Sequence, residues 1–446
     1  MDSLKTTISK TILFYALIFL ALACEQKPSE NTDTNSSLPA LPTADANNGG
    51  LTLPDNFGTV VVADSTGRAR HIAVNDQGDI FIKMRRLKEE KGILTISDTT
   101  GNGKMDTFSG FDLYTGTGIH IYNNYLYASS DSSVYRYPLE NGAVPAEAEP
   151  EVIVSGFPIQ RSHASKTLAF DNAGNIYVNV GGPSNACMEE SRTPGSPGMD
   201  PCPQLEYQAG IWRFDANKPG QTQKEDGYRY ATGIRNAVAL EWNDKENSLY
   251  ALQHGRDQLN NLFTDLYTDE QSAELPSEEF LQINEGDDFG WPYCYYDHFK
   301  NQKILAPEYG GDGEKTGRCE DIKAPIMAFP AHWAPNDLLF YTGDLFPEKY
   351  KNGAFIAFHG SWNRGPFAQK GYSVVFVPFK DGKPSGDWEI FATGFKGKDE
   401  IMSPSEAAHR PVGLAQGPDG SLYISDSVKG KIWRVMYYDN VTTASL

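Results

Sequence analysis

The sequence is poor in cysteine and in positive charge, and no apolar run in it is long enough to cross a bilayer. Five cysteines occur among 446 residues, no two with the C-x-x-C spacing of a zinc ribbon or a haem attachment motif. Lys and Arg total 39 against 58 Asp and Glu, a formal charge of −19. That balance argues against a nucleic-acid surface and against electrostatic docking on an anionic membrane. It favours neutral or cationic partners, bound calcium among them. No stretch sustains a helical hydrophobic period. What is plentiful is Gly (42), Tyr (23) and Phe (23), which suits a turn-rich β protein. Hydrophobic residues at 39% and charged residues at 22% exclude a globally disordered chain.

The longest apolar run, Thr11 to Ala23, follows Lys5 and Lys10 and reads as the core of a signal peptide. It ends in Ala21-Leu22-Ala23-Cys24, which resembles a bacterial lipobox. Cys24 would then be the lipidated first residue of an exported lipoprotein, anchored in a membrane only by its lipid and facing the periplasm or cell surface. Residues 24–50 carry Pro, Ser, Thr, Asn and Asp with few apolar side chains, the composition of a disordered tether. Residues 441–446 read as a frayed tail. Four cysteines remain: Cys187, Cys202, Cys294 and Cys319. An even count in an exported chain favours disulfides. Three pairings are open, and the local ones, Cys187–Cys202 and Cys294–Cys319, close short Gly/Pro-rich loops.

One phrase recurs along the chain: a short apolar strand, an Asp/Asn/Gly turn, then a strand with an aromatic. It occurs as HIAVNDQGDIFIK from His71, GIHIYNNYLYAS from Gly118, TLAFDNAGNIYVNVGG from Thr167, AVALEWNDKENSLYALQHG from Ala237 and GLAQGPDGSLYISD from Gly413, with a looser version between Asn336 and Ser361. Apolar alternation on both sides of such a turn means a β-hairpin. Six hairpins with outer-strand phrases such as GIWRFD predict an all-β chain, a six-bladed β-propeller with long loop insertions over residues 51–440. The strand near Val60 to Ala63 is expected to close the ring against Ile432 to Val435. A pair of packed sandwiches is the rival fold.

Propellers carry function in the loops at one mouth. His163, in RSHASKTLAF, stands just before the third hairpin, where an imidazole suits a general base. Arg235 and Asn236 occupy the same point one blade later, and Arg410 repeats it in the last blade. The guanidinium fork suits carboxylates or a developing oxyanion. The strand after Arg235 ends in Gln253-His254-Gly255-Arg256-Asp257, and an acidic insertion follows with Glu278, Glu279, Asp287 and Asp288. These carboxylates with backbone carbonyls make a candidate calcium site. DTTGNGKMD, Asp98 to Asp106, resembles a calcium loop but lacks the Glu of an EF-hand. HGSWNRG, from His359, holds Trp362, Asn363 and Arg364, where the indole can stack on a planar ring or a sugar face. Asp426 ends the last hairpin and can anchor an arginine or a ligand.

Together IRN, HGRD, FGWPYC, HGSWNR and RPVGLAQGPDGSLYISD resemble the glucose/sorbosone dehydrogenase family, and its sorbosone-dehydrogenase-like branch in particular. Its members are six-bladed propellers that use pyrroloquinoline quinone (PQQ). The resemblance spans roughly Leu51 to Tyr438. It implies a PQQ- and calcium-dependent sugar dehydrogenase that passes electrons to an external acceptor, a cytochrome or a quinone. It implies His163 as catalytic base and Arg235 on the quinone, with Asn236 beside it. Arg410 would pair with a cofactor carboxylate, Asp426 would lie near the cofactor, and the Gly255 and Arg256 carbonyls would bind calcium. Three positions depart from the family pattern. Thr117 stands for a glutamine, Asn363 for a lysine that pairs with the cofactor, and Val412 for a second arginine. Arg364 or Lys370 is expected to compensate for the lost cations. The rival readings are a calcium-dependent lactonase-type hydrolase and a non-catalytic propeller lipoprotein that binds sugar or protein.

Overall fold

The structure is a computed structural model that describes residues 41–439. The signal segment, the lipidation site at Cys24, most of the tether and the tail lie outside the described residues.

The recurrent hairpins form for a local reason. In the first, the Asn75 side chain accepts from the Gln77 and Asp79 amides while Gly78 takes φ 87. In the third, Asp171 accepts from Ala173 and Asn175 while Gly174 takes φ 90. An Asx cap followed by a left-handed glycine reverses the chain at little steric cost.

Each hairpin is the inner half of a blade of four antiparallel strands, to which blades 2 and 3 each add a two-residue fifth strand paired in parallel, Gln221–Thr222 and Asp287–Asp288. The inner strands are Ala69–Val74, Ile119–Tyr122, Leu168–Phe170, Ala239–Asn243, Pro335–Phe340 and Pro411–Gln416, for blades 1 to 6. The second strands of blades 5 and 6, Ala354–Phe358 and Leu422–Asp426, are buried at every residue, because blades stack on both faces. Ring closure is as the sequence predicts. Phe57–Ala63 is the outer strand of blade 6 and pairs with Ile432–Tyr437, Val60 opposite Arg434 and Val61 opposite Trp433. At the seam between blades 5 and 6, Phe57 packs edge-on against Phe346, Tyr350 and Phe391.

One expected boundary shifts. Residues 42–50, assigned to the tether, pack on the propeller. Asp45 accepts from the Val61 amide at 2.8 Å, and the Trp433 indole donates to the Gly49 carbonyl at 3.1 Å. The polar side chains that suggested disorder are here used as hydrogen-bond partners. Both local disulfides are present, Cys187–Cys202 and Cys294–Cys319, and each closes an insertion on the ring.

The leading ends of the inner strands meet around one mouth of the axis. The Gly118 amide donates to the Lys166 carbonyl, the Thr167 hydroxyl to the Ala237 carbonyl, and the Ser425 hydroxyl to the Arg70 carbonyl. His163, Arg235 and Arg410 all sit at such leading ends.

Candidate active site

Two clusters line the mouth. The first belongs to blades 3 and 4. His163 has φ 53, and its Nδ1 lies 2.5 Å from the Gly182 carbonyl. A carbonyl only accepts, so Nδ1 carries the proton and Nε2 keeps a free lone pair. Burial, and then the nearby Arg235 charge, push the imidazole down to about 3. It is therefore neutral at ordinary pH, with the Nε2 lone pair unprotonated. Gly181 lies between His163 and Asn236. A Cβ there would meet His163 Cβ at 2.6 Å and Asn236 Oδ1 at 2.8 Å, so only glycine admits this approach.

Arg235 is buried and heavily committed. Its Nε donates to the Asn185 carbonyl, Nη1 to the Gly255 carbonyl at 2.9 Å, and Nη2 to Asn185 Oδ1 and Asp257 Oδ2, both at 3.1 Å. All but one of its N–H donors are used within the protein. Asp257 is also held by Arg192 at 2.7 Å and is approached by Asn363 at 3.4 Å. Asn236 reaches His254 at 3.4 Å.

The second cluster belongs to blades 1, 5 and 6. Arg68, Arg70, Arg85, His359, Arg410 and Ser427 line a cleft of about 470 Å³. Arg70 donates through Nε to Thr117 Oγ1 at 3.3 Å, and among the described residues its Nη groups have no partner. Burial and the neighbouring charges of Arg85 and Arg410 push this guanidinium down to about 10. Arg410 donates from Nε to the His359 carbonyl at 3.0 Å and from Nη2 to the Gly360 carbonyl at 2.5 Å, which leaves Nη1 open. Arg85 is bidentate to Asp131 at 3.1 Å. In a chain of net charge −19 this cleft is a local excess of cations.

Other expected residues fall differently. Asp426 accepts from His409 and from the amides of Arg410, Val428, Lys429 and Gly430, so it fixes Arg410 in place of facing a ligand. Arg364 does not compensate for a lost cation. It is buried, with Nη2 on Glu274 at 2.7 Å and Nη1 on the Ala273 carbonyl, and Lys370 lies 3.5 Å from the same Glu274. Val412 is fully buried in its strand. Thr117 is buried and bridges Arg70 to Ser165. Trp362 alone of the seven tryptophans is more than a third exposed, at 55%.

The acidic insertion does not gather. Successive residues of Glu278–Ile283 point to opposite faces. Glu279 is taken by Lys303 at 2.6 Å and by Gln253, and Gln253 in turn holds the Arg235 amide. Glu278 accepts from the Gly255 and Ala334 amides at 3.0 Å, and burial pushes it up to about 7. Asp287 pairs with Lys323, and Asp288 accepts from the Gly290 amide. The Arg256 side chain is bidentate to buried Glu308. Asp98 accepts from the Gly101, Asn102 and Gly103 amides and Asp106 from Thr99 and Thr100, so that loop is closed by its own backbone. Among the described residues no three His, Cys, Asp or Glu side chains converge on one point.

Sequence reasoning missed Arg70. Its place differs from that of the other two: Arg70 lies inside its inner strand, Ala69–Val74, whereas Arg235 stands ahead of Ala239–Asn243 and Arg410 directly ahead of Pro411–Gln416.

The model of the TrAA12-like family matches residues 51–438, a span that includes every strand of the propeller. The chain belongs to that family. It is 26% identical over 404 residues to a protein named only as uncharacterised from Borreliella burgdorferi, covering 88% of this chain and 92% of that one. It is 26% identical over 233 residues to a pyrroloquinoline quinone-dependent pyranose dehydrogenase from Coprinopsis cinerea, covering 45% of this chain and 30% of the relative. Two solved structures share the fold. The holo form of the Coprinopsis cinerea pyranose dehydrogenase PQQ domain has a TM-score of 0.69 at 19% identity, over 86% of this chain and 97% of that one. The calcium structure of the Trichoderma reesei family AA12 enzyme has a TM-score of 0.70 at 18% identity, over 90% and 100%.

Proposed function

We propose that the protein is a PQQ-dependent dehydrogenase that oxidises a sugar hydroxyl and hands the electrons to an external acceptor. The observation that carries this reading is the two-sided mouth, with a neutral, oriented imidazole on one side and an under-neutralised arginine cleft on the other. The family membership and the Coprinopsis relative support it.

The residues present fit a polycarboxylate cofactor. Arg70 and Arg410, with open N–H donors, would hold its carboxylates, and Arg68 and Arg85 would add field at the rim. Thr117 keeps Arg70 in place, and Asp426 does the same for Arg410. When bound, the quinone supplies the acceptor for the hydride leaving the carbinol carbon. His163 Nε2 takes the hydroxyl proton, its orientation set by the Nδ1–H bond to Gly182. The single open N–H of Arg235 would serve the substrate oxygen, and the partly open Trp362 would face a sugar ring.

Calcium belongs to this reading through the Trichoderma homologue and the sequence phrases, but the donor set here suits it poorly. A hard cation wants six or more oxygens, roughly. The Gly255 carbonyl is held by Arg235 and Glu279 by Lys303. Export and a lipid anchor at Cys24 are part of the proposal. The two disulfides, which persist in oxidising compartments, support it.

The test is a titration of metal-stripped protein with PQQ, with and without calcium, followed by dye reduction on a panel of aldoses. Saturable binding and sugar-driven reduction are expected. No binding at all would move the hydrolase and binding-protein readings ahead.

A further inference from the structure

The backbone at His163 is held in the left-handed region by one side chain that lies outside the reacting cluster. The Gln160 amide nitrogen donates to the Ser162 carbonyl at 2.8 Å, the Gly181 carbonyl at 2.9 Å and the His163 carbonyl at 3.1 Å. Its oxygen accepts from Gln208 Nε2 at 2.8 Å. Gln208 follows the short turn of helix at Pro203–Glu206, whose Gln204 receives the Ser184 hydroxyl at 2.8 Å. Those residues begin directly after Cys202, the end of the first disulfide loop. Lys166 adds a bond to the Ala164 carbonyl at 2.6 Å.

Three carbonyls that converge on one amide group repel one another unless a donor sits among them. Gln160 is that donor. It ties the turn 162–163 to Gly181, and Gly182, the next residue, presents the carbonyl that receives His163 Nδ1–H. We infer that Gln160 is a positioning residue: it fixes the turn of His163 against Gly181-Gly182 and thereby selects the tautomer that leaves Nε2 free. The inference rests on His163 being the base only for its effect on turnover; its effect on the tautomer stands by itself.

The experiment compares wild type with Gln160→Ala and Gln160→Met in the full chain labelled with ¹⁵N-histidine, with His163→Ala used to find the His163 resonances among the eight histidines. Met keeps the length of the side chain and removes only its hydrogen bonds, and thermal melting shows that each variant is folded. The expected wild-type spectrum has Nδ1 protonated and Nε2 not, and both variants are expected to show mixed tautomers. Turnover should fall about 10- to 100-fold, the range a small misplacement of a reacting group produces, with PQQ affinity within about 2-fold. A wild-type tautomer in both variants overturns the inference whatever the turnover. Full turnover in His163→Ala overturns the base assignment instead, and the spectra still decide the role of Gln160.

Discussion

The two sides of the mouth use arginine in opposite ways. On the blade 3–4 side, Arg235 is buried among Asn185, Gly255 and Asp257, and its charge is matched by a carboxylate that Arg192 also holds. On the blade 6–1 side, Arg70 and Arg410 have N–H groups facing open cleft, and among the described residues only Arg85 has a carboxylate partner among the cleft arginines. Arg235 has all but one of its donors held by the scaffold, whereas Arg70 and Arg410 present open donors to the cleft. The same residue type, near the leading end of an inner strand in each case, serves both ends.

The comparison can be broken from either side. The largest effect expected is on the reacting side. His163→Ala should lower turnover by about 100- to 10,000-fold while leaving PQQ affinity unchanged, as steady-state rates beside a binding titration would show. Next, Arg235→Gln should cost about 3–5 kcal/mol of stability, because Asp257 is left buried with less counter-charge; denaturant melts measure this. Arg70→Gln should leave the melt nearly unchanged or slightly raised. It should weaken PQQ by about 1.5–3 kcal/mol, roughly 10- to 150-fold in Kd. Equal stability losses at the two arginines would abolish the distinction between them. The smallest effect is in pH. With the His163 imidazole pushed down to about 3, turnover at pH 5 should stay within about 2-fold of that at pH 7, whereas an ordinary histidine would lose most of its base form below about 6.5. The sign for stability is the reverse. The unfolded chain takes up the proton first as pH falls below about 6.5, so this group disfavours the folded state from there down to about 3.

The fold was legible because hairpin chemistry is local. Asn75, Asp171 and Gly174 announce their turns within a few residues, and period-two alternation supplies the strands. Short loops favoured the two local disulfides among three open pairings, and both are present. Position was legible where it follows from a strand's leading end: His163, Arg235 and Arg410 all come to the mouth. It was illegible where the role depends on which neighbour has spent the donors. Arg364 reads as a free cation in HGSWNRG but is consumed by Glu274. Glu279 reads as a calcium ligand but is consumed by Lys303, which lies in a different strand. Arg70 was overlooked because it lies inside its strand rather than ahead of it, and its importance rests on open Nη groups that no spacing reveals.

The closure of the ring has a consequence in time. Blade 6 takes its outer strand from residues 57–63 and its other three from residues 411–437, so nearly the whole described chain lies between paired strands. A growing or threading chain can complete blades 1 to 5 while Phe57–Ala63 still lacks its partner. The ring locks only when Ile432–Tyr437 arrives. Contacts so distant in sequence are slow to form, and an unpaired edge invites other strands in the interval. The mouth is finished by the same event, since Arg410 and Asp426 belong to this last blade. In the proposed reading, where Arg410 holds a cofactor carboxylate, tight anion binding in the cleft awaits the closing of the ring.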